Sequence, residues 1–206
     1  MTHTLRGLYA VTPNLDNTEQ LIEQTRRILQ GGAKILQYRH KTASPALRLQ
    51  QASALTRLAH EFKVPLIIND HVDLFEATDA DGLHIGGDDG DEAQLRRHLG
   101  KNKILGVSCY GELERAQHAS QHGADYVAFG GFYPSLVKQY PVTTTHDIIS
   151  RAKAQISQPI VVIGGMTPDN AAPLVTQGAD MVAVVSGLYS TLDPGAAAHR
   201  FALLFI

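Results

Sequence analysis

Cysteine, net charge and long apolar runs are scarce in this chain, and each scarcity excludes a class of protein. Cys109 is the single cysteine, so no intramolecular disulfide can form, which suits a reducing cytosol. The net charge of −2 gives no general attraction to nucleic acid or anionic membranes. No apolar run approaches the roughly 18 residues of a membrane span, and the N-terminus lacks a signal-peptide pattern. We therefore expect a soluble cytoplasmic protein without nucleic-acid or membrane partners. The oligomeric state stays open, and a homodimer is one option.

Short apolar runs recur along the whole chain. With 206 residues, the chain can form one sizeable core and is short for two, so a single domain over 1–206 is predicted. Several runs are continuous in Val, Ile and Leu, which is typical of parallel strands buried on both faces. Eight strands are predicted, at 7–12, 34–39, 65–69, 82–85, 104–108, 126–131, 159–164 and 181–186.

Segments with helical character lie between these strands, and a weak repeat accompanies them. The helical segments are 17–30, 45–62, 112–122, 145–156, 168–177 and 190–204. A glycine, an alanine and an aspartate precede a strand at 123–125 and again at 178–180, with looser echoes at 80–82 and 32–34. Eight strands alternating with helices predict one (β/α)8 TIM barrel. An open doubly wound sheet is the alternative, because alternation does not show closure.

Charged residues follow several predicted strands. In a parallel barrel the carboxyl ends of the strands carry the chemistry. Arg39, Lys41 and Lys138 are cations near such ends, as a ligand with several negative charges requires. Asp70 and Asp89 follow neighbouring strands and suit an oxygen-preferring cation such as Mg²⁺. Cations, carboxylates and a metal together indicate a pyrophosphate site.

A second phosphate site is predicted after strand 7. Gly164 and Gly165 precede Thr167 and Pro168, which open a helix whose free N–H groups can bind phosphate. The loops after strands 7 and 8 are the common phosphate site of this fold. The loop 132–143 is predicted to be a mobile lid, from its length and its flanking prolines.

Each of these residues also has a plain structural explanation. Arg39 and Lys41 can form salt bridges at a barrel rim, while Asp70 and the pair at 88–89 can cap the helices that follow. Polar core residues, small residues at crowded strand ends and solvent-exposed loop residues account for the others, namely Gln37, His84, Ser108, Ser186 and Lys138. These explanations would have to hold independently at seven places, because every predicted strand end from 2 to 8 offers a group that can bind phosphate or metal. One shared binding site accounts for all of them together.

The ordered set of motifs resembles the thiamin-phosphate synthase family from about Leu8 to Tyr189. The matching pieces are Gln37-Tyr38-Arg39-His40-Lys41, Ile68-Asn69-Asp70, Asp81 to Gly86, Gly106-Val107-Ser108, Gly131 to Lys138, Ile163-Gly164-Gly165 and Val184-Val185-Ser186. Each piece is weak alone, but the ordered set is specific.

The resemblance implies a role for each matching residue. Residues that would bind an aminopyrimidine pyrophosphate are Gln37, Tyr38, Arg39, His40, Lys41, Asn69, Ser108 and Lys138, and His84 would also bind substrate. Four of these, Arg39, Lys41, Ser108 and Lys138, would be catalytic. Asp70 and Asp89 would hold Mg²⁺. Contacts to a thiazole phosphate would come from Ser135, Leu136, Val137, Gly165, Val185 and Ser186.

Three departures from the family pattern concern the fine contacts. His40 stands where an acidic residue is common, and Gly87 where glutamine is common. Ser135-Leu136-Val137 replaces a threonine-rich triplet, so Val137 lacks a hydroxyl that could contact the thiazole phosphate.

The resemblance implies a transferase that joins the two small molecules and releases pyrophosphate. Two alternatives are a thiazole tautomerase on the same barrel and a non-catalytic phosphate-binding relative. The retained cations and carboxylates argue against both, because neither needs a pyrophosphate–Mg²⁺ site.

Overall fold

The computed structural model describes residues 5–86, 91–134 and 143–206. Eight parallel strands form a closed barrel in sequential order, with β8 hydrogen-bonded to β1. This confirms the predicted TIM barrel and excludes the open sheet. The strands are β1 Gly7–Val11, β2 Ile35–Tyr38, β3 Leu66–Asn69, β4 Gly82–Ile85, β5 Ile104–Tyr110, β6 Tyr126–Gly130, β7 Ile160–Ile163 and β8 Met181–Val184.

Helices follow the strands and cover the outside of the barrel. They are α1 Thr18–Gln30, α2 Pro45–Glu61, α3 Val72–Ala77, α4 Glu92–Leu99, α5 Leu113–Gln121, α6 Asp147–Lys153, α7 Pro168–Thr176, α8 Ser186–Tyr189 and α9 Pro194–Ala202, with a 3-10 turn at Leu203–Phe205. The helix predicted at 190–204 begins at Pro194 because Asp193 caps it, its side chain accepting a hydrogen bond from Ala196 N.

Two capping explanations for candidate metal ligands are wrong. Helix α3 has His71 at its N-cap position, and no side chain makes a cap hydrogen bond there, so Asp70 is not its cap. Helix α4 is capped by Asp91, whose side chain accepts a hydrogen bond from Gln94 N. The capping role proposed for the pair at 88–89 is therefore already filled.

Apolar side chains pack in two layers. One lies between the barrel and the helices and holds Leu8, Leu36 and Ile68 among many others. The other fills the barrel interior, and its members are Tyr9, Val11, Ile35, Ile67, Tyr126, Ala128, Val161, Met181 and Ala183. Alternate residues of each strand enter opposite layers. Two of the interior residues are tyrosines, so the interior includes polar atoms beneath the carboxyl ends of the strands.

The repeated aspartate closes the opposite, amino-terminal end of the barrel. The carboxylates of Asp81, Asp125 and Asp180 accept hydrogen bonds from backbone N–H groups in the first two residues of the preceding strands. These donors are Leu66 at 2.8 Å, Leu105 at 2.7 Å and Ile160 at 2.7 Å. Each carboxylate also pairs with a cationic or titratable side chain, from His60, Arg96 and Lys153 respectively. The repeat recognised in the sequence is thus a clasp between neighbouring strands, and the looser echo at Lys34 lacks its carboxylate.

Candidate active site

A cavity of about 500 Å³ opens at the carboxyl ends of the strands. Residues from all eight strands or the loops after them line it. Eight of the predicted site residues are among them, namely Gln37, Arg39, Asn69, His84, Ser108, Gly165, Val185 and Ser186. Residues that are up to 149 positions apart in the chain, Gln37 and Ser186, thus face one space.

The segment after β2 is held by the loop after β1. Thr12 Oγ1 donates to the carbonyl of Arg39 at 3.0 Å, and it accepts from the N–H of Arg39 at 2.8 Å. The N–H of Lys41 donates to Asn14 Oδ1 at 3.0 Å. These bonds fix the backbone of both cationic residues, and Arg39 lines the cavity.

Lys41 and Asp70 meet near the cavity. Lys41 Nζ lies 3.6 Å from Asp70 Oδ2, and the Lys41 side chain is 54% exposed. The salt-bridge explanation is therefore correct for Lys41, although a surface pair of this kind contributes little to stability. Asp70 has a φ of 63°, in the left-handed region that costs a non-glycine residue conformational energy.

The candidate metal site is only partly within the described residues. Asp70 offers a carboxylate at the end of β3, and its side chain is 25% exposed, which leaves it accessible to a cation and its waters. Its predicted partner Asp89 lies outside the described residues. Across 5–86, 91–134 and 143–206 there is no cluster of three His, Cys, Asp or Glu residues that could hold a metal. The donor that is described fits Mg²⁺ as one carboxylate of a site completed by other oxygens.

Tyr38 and His40 do not present their side chains to the cavity. Tyr38 packs in the outer layer, and its hydroxyl donates to Gln51 Oε1 at 2.9 Å. The buried His40 ring lies with Nε2 3.2 Å from Asp16 Oδ1. Because neighbouring residues of an extended segment face opposite sides, Gln37 and Arg39 point inward while these two point outward. We assign neither of them a side-chain contact to a ligand.

The loop after β7 is tightly built around two glycines. Gly164 and Gly165 have φ values of 110° and 62°, and a Cβ on Gly165 would lie 2.2 Å from the carbonyl oxygen of Pro134. Helix α7 then begins with a capping box between Thr167 and Asn170. Asn170 Nδ2 also donates to the carbonyl of Gly165 at 2.9 Å. These bonds fix the backbone after β7. The capping box also occupies the N–H groups of Thr167 and Asn170, and Pro168 has none, so these positions do not supply the free N–H groups that the sequence predicted at the start of this helix.

The remaining predicted residues and the predicted lid lie largely outside the described part of the chain. These residues are Ser135, Leu136, Val137 and Lys138, and the lid is 132–143.

A hydrogen-bonded row of side chains forms the floor of the cavity, and it joins three predicted residues to two tyrosines that were not predicted from the sequence. Gln37 Nε2 donates to Tyr9 Oη at 2.8 Å, and Tyr9 Oη lies 2.7 Å from Tyr126 Oη. His84 Nδ1 lies 2.9 Å from Tyr126 Oη, and His84 Nε2 lies 2.9 Å from Ser108 Oγ. Burial raises the pKa values of both tyrosines, so their hydroxyls stay neutral. A tyrosine within an otherwise apolar strand was the one signal that could have identified them.

The arrangement does not favour a protein nucleophile. Burial raises the pKa of the Cys109 thiol to about 12, which agrees with the predicted role as a small buried residue. Ser108 does face a histidine, as a nucleophilic serine would. However, the other nitrogen of that histidine meets the neutral hydroxyl of Tyr126 instead of a carboxylate that would stabilise an imidazolium. The cavity therefore suits binding and charge stabilisation better than covalent catalysis.

Comparison with known proteins shows the family. The model of the family described as thiamine monophosphate synthase matches residues 8–188. A thiamine-phosphate synthase of Janthinobacterium sp. (strain Marseille) is 56% identical over 100% of this chain and 99% of its own. One of Nitrosomonas eutropha is 48% identical over 97% of this chain and 94% of its own.

A solved structure agrees with these relatives. The thiamine phosphate pyrophosphorylase of Pyrococcus furiosus superposes with a TM-score of 0.85 at 28% identity, covering 98% of this chain and 96% of that one. In the part of the chain that the structure describes, no helix has the length and apolarity needed to cross a membrane. The chain belongs to the thiamine monophosphate synthase family.

Proposed function

We propose that this protein is a transferase that joins 4-amino-2-methyl-5-(diphosphooxymethyl)pyrimidine to a thiazole phosphate, giving thiamin phosphate and pyrophosphate. The observation that carries the proposal is the convergence of eight predicted site residues on one cavity at the carboxyl ends of the strands. A cavity of about 500 Å³ falls within the usual range of roughly 300–1,000 Å³ for small-molecule sites. The chain acts as one catalytic domain over its length.

The pyrophosphate group would lie among the cations near the ends of β2 and β3. Arg39 lines the cavity, and Lys41 is beside Asp70. Lys138 would add a third positive charge. Asp70 and Asp89 would hold Mg²⁺, which when bound would neutralise charge on the pyrophosphate oxygens. The Lys41–Asp70 pair supports this, because a cation and a metal-binding carboxylate both belong beside a pyrophosphate.

The aminopyrimidine and the thiazole phosphate would occupy the rest of the cavity. Gln37, Asn69 and Ser108 offer hydrogen-bonding groups suited to a heterocycle. Gly165, Val185 and Ser186 would receive the thiazole phosphate, together with 135–137. These three residues follow β7 and β8 and line the cavity, at the common phosphate site of this fold, which supports this.

The reaction breaks the bond between the pyrimidine methylene carbon and pyrophosphate, and it forms a bond from that carbon to the thiazole nitrogen. The amino group of the pyrimidine spreads the positive charge that develops on the ring system as pyrophosphate leaves. Arg39, Lys41 and Lys138 stabilise the negative charge that collects on the leaving group. The cavity also holds the two substrates in line, so no covalent bond to the protein is required.

Incubating the protein with both substrates, with and without Mg²⁺, tests the proposal. Thiamin phosphate and pyrophosphate should appear in equal amounts, and only with the metal. Isomerisation of a thiazole phosphate alone would instead indicate a tautomerase, for which the named relatives give no support. Binding of either substrate without any product would indicate a non-catalytic relative. A Lys138→Ala protein with unchanged turnover would remove that residue from the mechanism.

The protein would work in the cytoplasm on small-molecule substrates. The homodimer remains a proposal that sedimentation equilibrium of the purified chain would test.

A further inference from the structure

The floor of the cavity is a continuous chain of hydrogen bonds between side chains from five strands. It runs from Gln37 through Tyr9, Tyr126 and His84 to Ser108, with each link between 2.7 and 2.9 Å. Four of the five residues line the cavity. Tyr126 is the exception, because it is fully buried at the centre of the chain.

The strand register makes room for Tyr126. His84, Gly106 and Tyr126 are paired neighbours on β4, β5 and β6. A Cβ on Gly106 would lie 2.0 Å from Tyr126 Cζ, so the tyrosine ring occupies the space that a side chain on β5 would fill. The ring is stacked with that of His84, at 17° between planes, and its hydroxyl reaches Nδ1 of the same histidine. The missing side chain at Gly106 therefore allows the link between β6 and β4.

Counting hydrogens leaves this chain two complete orders when His84 is neutral. In the first, Gln37 donates to Tyr9, Tyr9 to Tyr126 and Tyr126 to His84 Nδ1, so the Nε2–H of His84 donates to Ser108. In the second, every donor and acceptor is exchanged. In either order the two terminal residues, Gln37 and Ser108, present opposite hydrogen-bonding groups to a ligand, because one of them accepts a hydrogen bond and the other donates one. The amide nitrogen of Gln37 faces Tyr9, which corresponds to the first order.

We propose that Tyr126 is a positioning residue that holds His84 with its proton on Nε2 and thereby makes the Ser108 hydroxyl a hydrogen-bond donor to the aminopyrimidine. The carbonyl of Gln37 is then the acceptor at the other end. An aminopyrimidine matches this polarity, because its exocyclic amine donates and its ring nitrogens accept. This inference rests on the proposed function for the identity of the ligand, and on the described hydrogen bonds for the proton order.

The proton order can be measured without any substrate. ¹⁵N spectra of histidine-labelled protein, with the His84 signal assigned by its loss in His84→Asn, should show Nε2 protonated and Nδ1 unprotonated. Tyr126→Phe removes the donor to Nδ1 and should shift His84 toward the other tautomer or a mixture. Tyr189→Phe is the matched control, since this buried tyrosine bonds Thr25 at 3.0 Å in the outer layer and should leave the His84 signals unchanged.

Kinetics then test whether the order matters for binding. Tyr126→Phe should raise the KM for the pyrimidine pyrophosphate by about tenfold, the effect of one hydrogen bond, with the KM for the thiazole phosphate unchanged. This increase in KM should be absent in the Ser108→Ala background, because Tyr126 acts through the Ser108 hydroxyl and has no effect on binding once that hydroxyl is removed. Should Tyr126→Phe fail to fold, Tyr9→Phe removes the proton that Tyr9 donates to Tyr126, so the Tyr126 hydroxyl can also accept from Nδ1–H and His84 should become a mixture of the two tautomers.

Three results would overturn the proposal. They are a wild-type His84 protonated on Nδ1, His84 signals that Tyr126→Phe leaves unchanged, or an equal rise in KM on Tyr126→Phe in the wild-type and Ser108→Ala backgrounds. Failure of the protein to make thiamin phosphate is a separate outcome. It would reject the proposed function while leaving the His84 signals as an independent measurement.

Discussion

Replacing Gly106 by alanine should destabilise the barrel interior and disturb the active site at once. The new Cβ would lie 2.0 Å from Cζ, 2.2 Å from Oη and 2.5 Å from Cε2 of Tyr126, so the ring must move. Overpacking of this kind costs about 1–3 kcal/mol. The two hydrogen bonds of the Tyr126 hydroxyl add about 1 kcal/mol each when they are broken. We therefore expect the free energy of unfolding to fall by about 3–5 kcal/mol.

Urea unfolding followed by circular dichroism measures this loss, and two further variants identify its cause. Gly130→Ala is the control, since its Cβ would meet nothing closer than 3.4 Å and neither glycine has a positive φ. Its free energy of unfolding should stay within about 1 kcal/mol of wild type.

In a Tyr126→Leu background the ring is gone, and Gly106→Ala should then be neutral or stabilising by about 0.4–1 kcal/mol, because alanine restricts the unfolded chain. Equal destabilisation by Gly106→Ala in both backgrounds would refute the steric argument.

Three further predictions concern the clasp, the thiol and the leaving group. Asp180→Ala leaves the N–H of Ile160 without its acceptor and should lower the free energy of unfolding in urea by about 1–3 kcal/mol. Lys153→Met keeps that hydrogen bond and should lower it by less than about 1 kcal/mol. Equal destabilisation by the two variants would contradict the clasp. Burial raises the pKa of Cys109 from 9.0 to about 12, so the folded state favours the neutral thiol. The resulting stabilisation of the fold is present below pH 9 and is lost as the pH rises toward 12. Cys109→Ala should therefore lessen the drop in stability above pH 9, and an unchanged drop would refute this. Arg39→Met should lower kcat by about 10²–10³-fold with the fold intact by circular dichroism, and a loss below about threefold would exclude a role in charge stabilisation.

Much of the fold was predictable because its physical cause is local in the sequence. The short apolar runs predicted all eight strands, and Ser44 with Pro45 predicted the start of α2. The aspartate repeat predicted strand entry at 125 and 180. Its clasping role was not predictable, because it depends on which backbone N–H lies across the barrel rim from each carboxylate.

The candidate site was predictable only where polar residues lie near the carboxyl end of a strand or directly after it. Gln37, Arg39 and Ser108 do so, and they line the cavity. Tyr38 and His40 belong to the same motif, yet the alternation of an extended chain turns their side chains away. Tyr9 and Tyr126 escaped prediction for the opposite reason. They lie within strands that look wholly apolar, and only the closure of the barrel brings their hydroxyls 2.7 Å apart.

Residues at the amino-terminal end of the barrel contribute to stability, and residues at the carboxyl end contribute to chemistry. Tyr126 contributes to both. The carboxylate clasps lie at the amino-terminal end, so Asp180→Ala should lower stability and leave KM unchanged. Loops at the other end supply Arg39 and Lys41, which should affect catalysis more than stability. The hydrogen-bonded floor belongs to both groups, because it fills the core while its ends at Gln37 and Ser108 face the ligand. A buried polar chain is stable only when every link is satisfied, so a change at its centre must alter packing and binding together.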